Sequence, residues 1–292
     1  MAKTSGISWT HSTWNPWLGC DKIAPECAHC YIDRLLRKLH RKPWGTLYRT
    51  ETWDDPAKWQ SEMPSNKARR VFTCSESDFF HVKADAWRPG AWDVIRDTPN
   101  LVYLILTKRP ERIAKHLPPG WPYRNVWLGV STGCQQTLNK MDTLRRIPVH
   151  PEAVRFISAE PLLESLMPEI DLDGFGWVIA GGESGSDPEY KWNRARAFCY
   201  GWKEELDFTE GRRYMEIKWA EELRDECIRR GIPFLFKQAT AGPDGQGSNL
   251  LGRIWQQYPK PPKGLTWAKR ARVELRHKWK PVQIQDYKER VA

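Results

Sequence analysis

The sequence predicts an α/β fold, a partial (β/α) barrel of about six to seven parallel strands with a basic C-terminal extension. Three observations predict it. Short apolar runs recur, each bounded by turn residues; polar, helix-like stretches separate them; and almost every run ends in charged, hydroxyl or glycine residues. Buried parallel strands read as continuous apolar runs, and their alternation with helices indicates a parallel sheet with helices outside. A barrel gathers functional side chains from the ends of many strands, whereas an open sheet uses mainly one switch point.

The strand runs, in chain order, are RRVFTCSESD (69–78), LVYLILTKRP (101–110), NVWLGVST (125–132), VRFISAEPLL (154–163), GWVIAGGESG (176–185) and IPFLFKQ (232–238). Their ends carry Ser75, Glu76 and Asp78, then Thr107, Lys108 and Arg109, then Ser131 and Thr132, then Glu160, then Gly181 to Ser184, and last Lys237 and Gln238. Helices are expected in CAHCYIDRLLRKLHRK, QQTLNKMDTLRRI and MEIKWAEELRDECIRRG, the last stopped by Gly231. Residues 186–214 read as an insertion with its own local structure. The barrel is expected over 1–258, and 259–292 forms a basic, tryptophan-containing tail.

Forty-six Lys and Arg against 36 Asp and Glu give a formal charge of +10 and favour polyanionic partners, nucleic acid first. Seventeen tryptophans supply both core and surfaces on which bases can stack. No run of 18 apolar residues occurs and the first thirty residues lack an apolar signal region, so a cytoplasmic protein without membrane contact is expected. In that reducing compartment, seven cysteines point to metal ligation or free thiols rather than disulfides.

The stretch WLGCDKIAPECAHCYIDR places Cys20, Cys27 and Cys30 in a C-x6-C-x2-C spacing. A structural zinc site would need a fourth ligand, for which His11 and His29 are candidates. A 4Fe-4S cluster on three thiolates would keep one iron without a protein ligand. Spacing alone leaves iron–sulfur, zinc and unligated thiols open. Cys74, Cys134, Cys199 and Cys227 share no such spacing and read as free.

ISWTHSTWNPWLGC…CAHCY, VFTCSESDFFH, LTKRPERI, NVWLGVST, VRFISAEPLL, WVIAGGESG and GIPFLFKQ follow one another between residues 7 and 258. Together they resemble the signature blocks of the phage and bacterial three-Cys-motif proteins, a family similar to radical S-adenosyl-L-methionine (AdoMet) enzymes. The resemblance implies a partial barrel with a 4Fe-4S cluster on Cys20, Cys27 and Cys30, and AdoMet chelating the open iron. Many radical AdoMet enzymes space these cysteines C-x3-C-x2-C; the first gap here is longer. The resemblance also implies that His29 packs by the cluster and that an electron donor serves it. AdoMet is then expected across Ser75, Glu76, Asp78, Ser131, Glu160, Gly181, Gly182 and Glu183. In such enzymes a Gly-Gly-Glu element after an early strand holds the methionine amino group. AGGESG follows a late strand here, so SESD (75–78) is the better positional match. Glu160 is a candidate acid, base or ribose contact, with a salt bridge as the plain alternative.

In the tail KGLTWAKRARVELRHKWK, Lys269, Arg270, Arg272, Arg276, Lys278 and Lys280 are expected to neutralise phosphates while Trp267 and Trp279 stack on bases. The leading expectation is a radical AdoMet iron–sulfur enzyme that modifies or repairs a nucleic acid or nucleotide, with a further protein partner conceivable. Its rivals are a non-catalytic zinc or iron–sulfur nucleic-acid-binding protein and a repair enzyme of the spore-photoproduct-lyase kind.

Overall fold

The structure is a computed structural model that describes residues 3–42, 44–183, 213, 215–239 and 249–269. Its strands are β1 (Ser12–Trp14), β2 (Trp17–Leu18), β3 (Tyr48–Arg49), β4 (Lys67–Thr73), β5 (Leu101–Thr107), β6 (Val126–Ser131), β7 (Arg155–Ala159), β8 (Trp177–Ala180), β9 (Phe234–Phe236), β10 (Asn249–Leu250), β11 (Arg253–Ile254) and β12 (Thr266–Trp267). Its α-helices are α1 (Ile32–Lys38), α2 (Asp55–Ser61), α3 (Arg88–Arg96), α4 (Asn139–Arg145) and α5 (Ile217–Arg230).

The main sheet runs β1-β4-β5-β6-β7-β8-β9, every neighbouring pair parallel, and curls into a half-barrel. Strand order follows chain order without reversal, so the sheet has no switch point. The C-terminal ends of all seven strands therefore open on one side. The small ribbon β2–β3 is antiparallel, as is β10–β11.

Alternation along each strand divides the apolar residues between two faces. On β5, Leu101, Tyr103 and Ile105 meet the helices through Trp92, Ile95, Met141 and Leu144. Val102 and Leu104 point inward and join Phe72, Trp127, Phe156, Trp177 and Leu235 around Trp9. Trp9 lies 4.3 Å from Phe72, centroid to centroid, and this aromatic floor closes the inner face.

The six apolar runs all form strands. β1 does not show as a strand in the sequence, because three residues of mixed polarity are extended only through pairing with β4. α2 and α3 are likewise additions to the expected helices. Gly231 ends α5 in the left-handed conformation at φ 67°, as its position predicts.

The C-terminal segment does not leave the barrel at residue 259. β12 pairs in parallel with β4, Thr266 against Lys67, and continues the line of β1 along the same edge. Leu265 and Trp267 pack on the inner floor, and Arg70 sits 4.9 Å from the Trp267 ring. Trp267 is thus engaged internally by Arg70, Trp127 and the Pro259 carbonyl. Tryptophans beside cations behave alike elsewhere: Arg49 covers Trp53 and Lys22 covers Trp44. None of the exposed large apolar residues among those described is a tryptophan. Lys269 is exposed; Arg270, Arg272, Arg276, Lys278, Trp279 and Lys280 lie outside the described residues, as do residues 186–212 of the expected insertion. Among the described residues no helix is long and apolar enough to cross a membrane.

Candidate active-site cavity

Over the strand ends lies a cavity of about 570 Å³. The loop between β2 and α1 forms one wall and brings Cys20, Cys27 and Cys30 to its lining. Gly19 makes this possible: at φ +101° a Cβ would stand 2.2 Å from the Thr46 carbonyl oxygen, so only glycine lets the chain turn against β3. Cys27 ends the single 3-10 turn Pro25–Cys27, and the Cys30 N–H donates to the Cys27 carbonyl at 3.3 Å.

Two carboxylates hold this loop. Glu26 is buried, and its Oε1 accepts from the Gly133 N–H at 3.0 Å and the Thr137 hydroxyl at 2.6 Å, which ties the loop to the β6–α4 connection. Gly133 must be glycine here, since a Cβ would lie 1.8 Å from the Pro161 carbonyl oxygen. Glu183, at the end of β8, accepts from the Arg213 N–H at 2.7 Å and the Arg213 Nε at 2.8 Å and meets His29 Nδ1 at 3.2 Å. Arg213 also donates to the Pro25 carbonyl at 2.8 Å. In this arrangement Glu183 clamps the cysteine loop.

Asp78 serves the opposite wall. Its carboxylate accepts from the Phe80 N–H, the Thr107 hydroxyl, the Lys108 N–H and Arg109 Nη1 at 2.9, 2.7, 3.0 and 3.3 Å. All four contacts are internal, and they aim Arg109 at the cysteine loop, 3.8 Å from Cys20 Sγ and 3.3 Å from the Asp21 carbonyl. Ser75 and Glu76 are fixed by Asn15, which donates to Ser75 Oγ at 3.0 Å and accepts from the Glu76 N–H at 3.1 Å. Asn15, just after β1, thus holds the turn that follows β4. Lys108 Nζ donates to Ser131 Oγ at 3.2 Å. Glu160 pairs with Lys237 at 2.8 Å and accepts from Ser158 at 3.2 Å, the salt bridge given above as its plain alternative. Glu76, Asp78, Ser131, Glu160, Gly182, Glu183 and Ser75 all line the cavity; Gly181 stands behind it, against Glu160 and Lys237.

Burial and nearby positive charge act in opposite directions on the cysteines of the loop. Burial pushes the Cys20 thiol up to about 12, reinforced by Asp78 and opposed by Arg109. Burial likewise raises Cys30. Burial works against the charge of Lys108, yet the negative groups around it, led by Cys27 and Cys30, hold its ammonium above the ordinary value. Among the described residues no group of three His, Cys, Asp or Glu side chains is gathered tightly enough for an ion. The cysteines share a cavity wall instead.

His11 is removed as a ligand candidate. Its Nδ1 accepts from the Arg70 N–H, so Nε2 carries the proton and donates to the Ala268 carbonyl, both at 3.0 Å. His29 stays beside the cysteines. Cys74, Cys134 and Cys227 are buried free thiols, and Cys199 lies outside the described residues. Spacing gives no sign of Gly133, Thr137 or Arg213, which only the fold brings to the loop.

A family model described as "Protein of unknown function (DUF5131)" matches residues 4–205. The chain belongs to this family. The matched stretch in this family member contains the cysteine loop and strands β1 to β8. No curated protein matches the chain. Among solved structures, "Spore photoproduct lyase complexed with dinucleoside spore photoproduct" is similar at 16% identity and TM-score 0.45, covering 73% of this chain and 71% of that one.

Proposed function

We propose that the protein is an iron–sulfur enzyme of the radical AdoMet type acting on a nucleic acid or nucleotide. The observation that carries this reading is the placement of Cys20, Cys27 and Cys30 on one cavity at the C-terminal mouth of a parallel half-barrel. The donor set suits the group: thiols are soft ligands, His11 is occupied by Arg70 and Ala268, and Lys108 and Arg109 supply positive charge near the sulfurs. Cys20, Cys27 and Cys30 would hold a 4Fe-4S cluster. When bound with AdoMet, such a cluster supplies one-electron chemistry at a sulfonium, with the electron drawn from a separate reductant.

The chain's own residues do the rest. Glu26 and Glu183 fix the loop from two sides, Arg109 and Lys108 balance thiolate charge, and the aromatic floor below excludes water. Ser75, Glu76, Ser131, Gly182 and Glu160 stand where a nucleoside-bearing cofactor would lie across the strand ends. The +10 charge favours a phosphate-bearing substrate.

Iron and acid-labile sulfide in anaerobically purified protein test the reading. About four iron atoms per chain are expected, lost on Cys20→Ser, Cys27→Ser or Cys30→Ser and kept on Cys227→Ala. Zinc without iron would move the assignment to a non-catalytic binding protein. AdoMet should bind the iron-loaded form by calorimetry; failure of that binding would count against an enzyme.

A further inference from the structure

The cavity that the cysteine loop lines also holds a polar side chain to which the AdoMet reading gives no role. Gln238, just beyond β9, is 0% exposed and lines the cavity. Its Nε2 lies 3.5 Å from the Gly182 carbonyl oxygen, which can only accept. That contact orients the amide, and Oε1 has no partner among the described residues. Trp9 is its complement. This ring also lines the cavity, and its Nε1 donor has no partner among the described residues. Ile7, Phe72 and Leu106 add apolar surface to the cavity lining.

We propose that this cavity contains a nucleobase subsite, in which Gln238 Oε1 accepts the ring N–H of a base carrying an adjacent carbonyl. This rests on the nucleotide reading above and deepens it. The free atom of Gln238 is an acceptor, so the ligand must bring a donor. Trp9 Nε1 is a donor without a partner among the described residues, so a ligand that reaches it must also bring an acceptor. The aromatic and apolar lining favours a flat ring over a hydrated sugar or an extended peptide. The imide or lactam edge of uracil, thymine, guanine or hypoxanthine satisfies all three demands. An ammonium or alcohol would meet only the first.

Binding of uridine and of N3-methyluridine to the full-length, iron-loaded protein tests this by calorimetry. Wild type should prefer uridine by about tenfold or more, because a site built to pair an N–H rejects the analogue lacking it. Gln238→Leu should bind both equally weakly, and Gln238→Glu, which keeps an acceptor, should retain the preference. Equal affinity of wild type for the two nucleosides, or an undiminished preference in Gln238→Leu, would overturn the subsite. So would a loss of AdoMet binding in Gln238→Leu with uridine binding intact. If Gln238→Leu fails to fold, the wild-type comparison and Gln238→Glu still decide. Iron content measured on the same samples separates this result from the parent reading: the subsite fails with iron retained, whereas the iron–sulfur assignment fails in wild type with iron absent.

Discussion

The carboxylate of Glu26, one residue before Cys27, accepts a hydrogen bond at 2.6 Å from the hydroxyl of Thr137, on the turn that leads into α4. With the Gly133 N–H on the same oxygen, this contact joins the cysteine loop to the barrel. Glu26 lies well inside the protein, and Lys140 contributes a charge nearby.

A pH dependence follows from Glu26. Burial works to raise its pKa, but the bonds from Thr137 and Gly133 and the charge of Lys140 outweigh it, so the folded-state value lies below the ordinary 4.5. A depressed acid contributes stability that is present above its unfolded value and is lost as pH falls through the folded value. Denaturant melts of wild type should therefore weaken as pH falls below 4.5 more steeply than those of Glu26→Gln. At neutral pH, Glu26→Ala should lose about 2 to 3 kcal/mol, as expected for hydrogen bonds to a buried charge. Parallel slopes for the two proteins would remove Glu26 from the acid response.

Gly133→Ala should destabilise by about 3 kcal/mol or prevent folding, because the new Cβ would collide with the rigid Pro161 carbonyl. Gly6→Ala meets nothing within 4 Å and should change stability by less than about 0.5 kcal/mol. Thermal melts of the two variants make the comparison, and a well-folded, fully stable Gly133→Ala would contradict this geometry.

Two truncations separate the roles of the C-terminal region. Removing residues 270–292 should flatten the salt dependence of nucleic-acid binding, by up to about 0.7 in slope for each single-strand phosphate that is no longer neutralised. Removing 259–292 also takes away β12, Leu265 and Trp267, and should cost about 3 kcal/mol or more as apolar surface returns to water. Equal melting temperatures for the two would show that β12 adds nothing to the barrel.

Much of this architecture is legible in the sequence because buried parallel strands are apolar throughout: LVYLILT and NVWLGV announce β5 and β6 without help from tertiary structure. The cysteine spacing is equally plain. β1 is hidden because Ser12–Trp14 owes its conformation to β4, and no local propensity marks it. Glu183 and Asp78 are recognisable as polar strand ends, but their partners, Arg213 and Arg109, are fixed by long-range contacts that sequence spacing does not encode. Trp267 reads as a stacking residue because basic neighbours surround it in sequence, whereas in space its neighbours are Arg70 and Trp127.

The pairing of Thr266 with Lys67 also bears on how the chain reaches this state. β5 through β9 each dock on the strand made just before them, so most of the sheet can assemble in the order of synthesis. β12 cannot: its partner is far back along the chain, near the first edge of the sheet. A half-barrel made before residues 265–267 are synthesised would leave the Trp127 indole incompletely covered. That interval is when chaperones would have an apolar surface to hold.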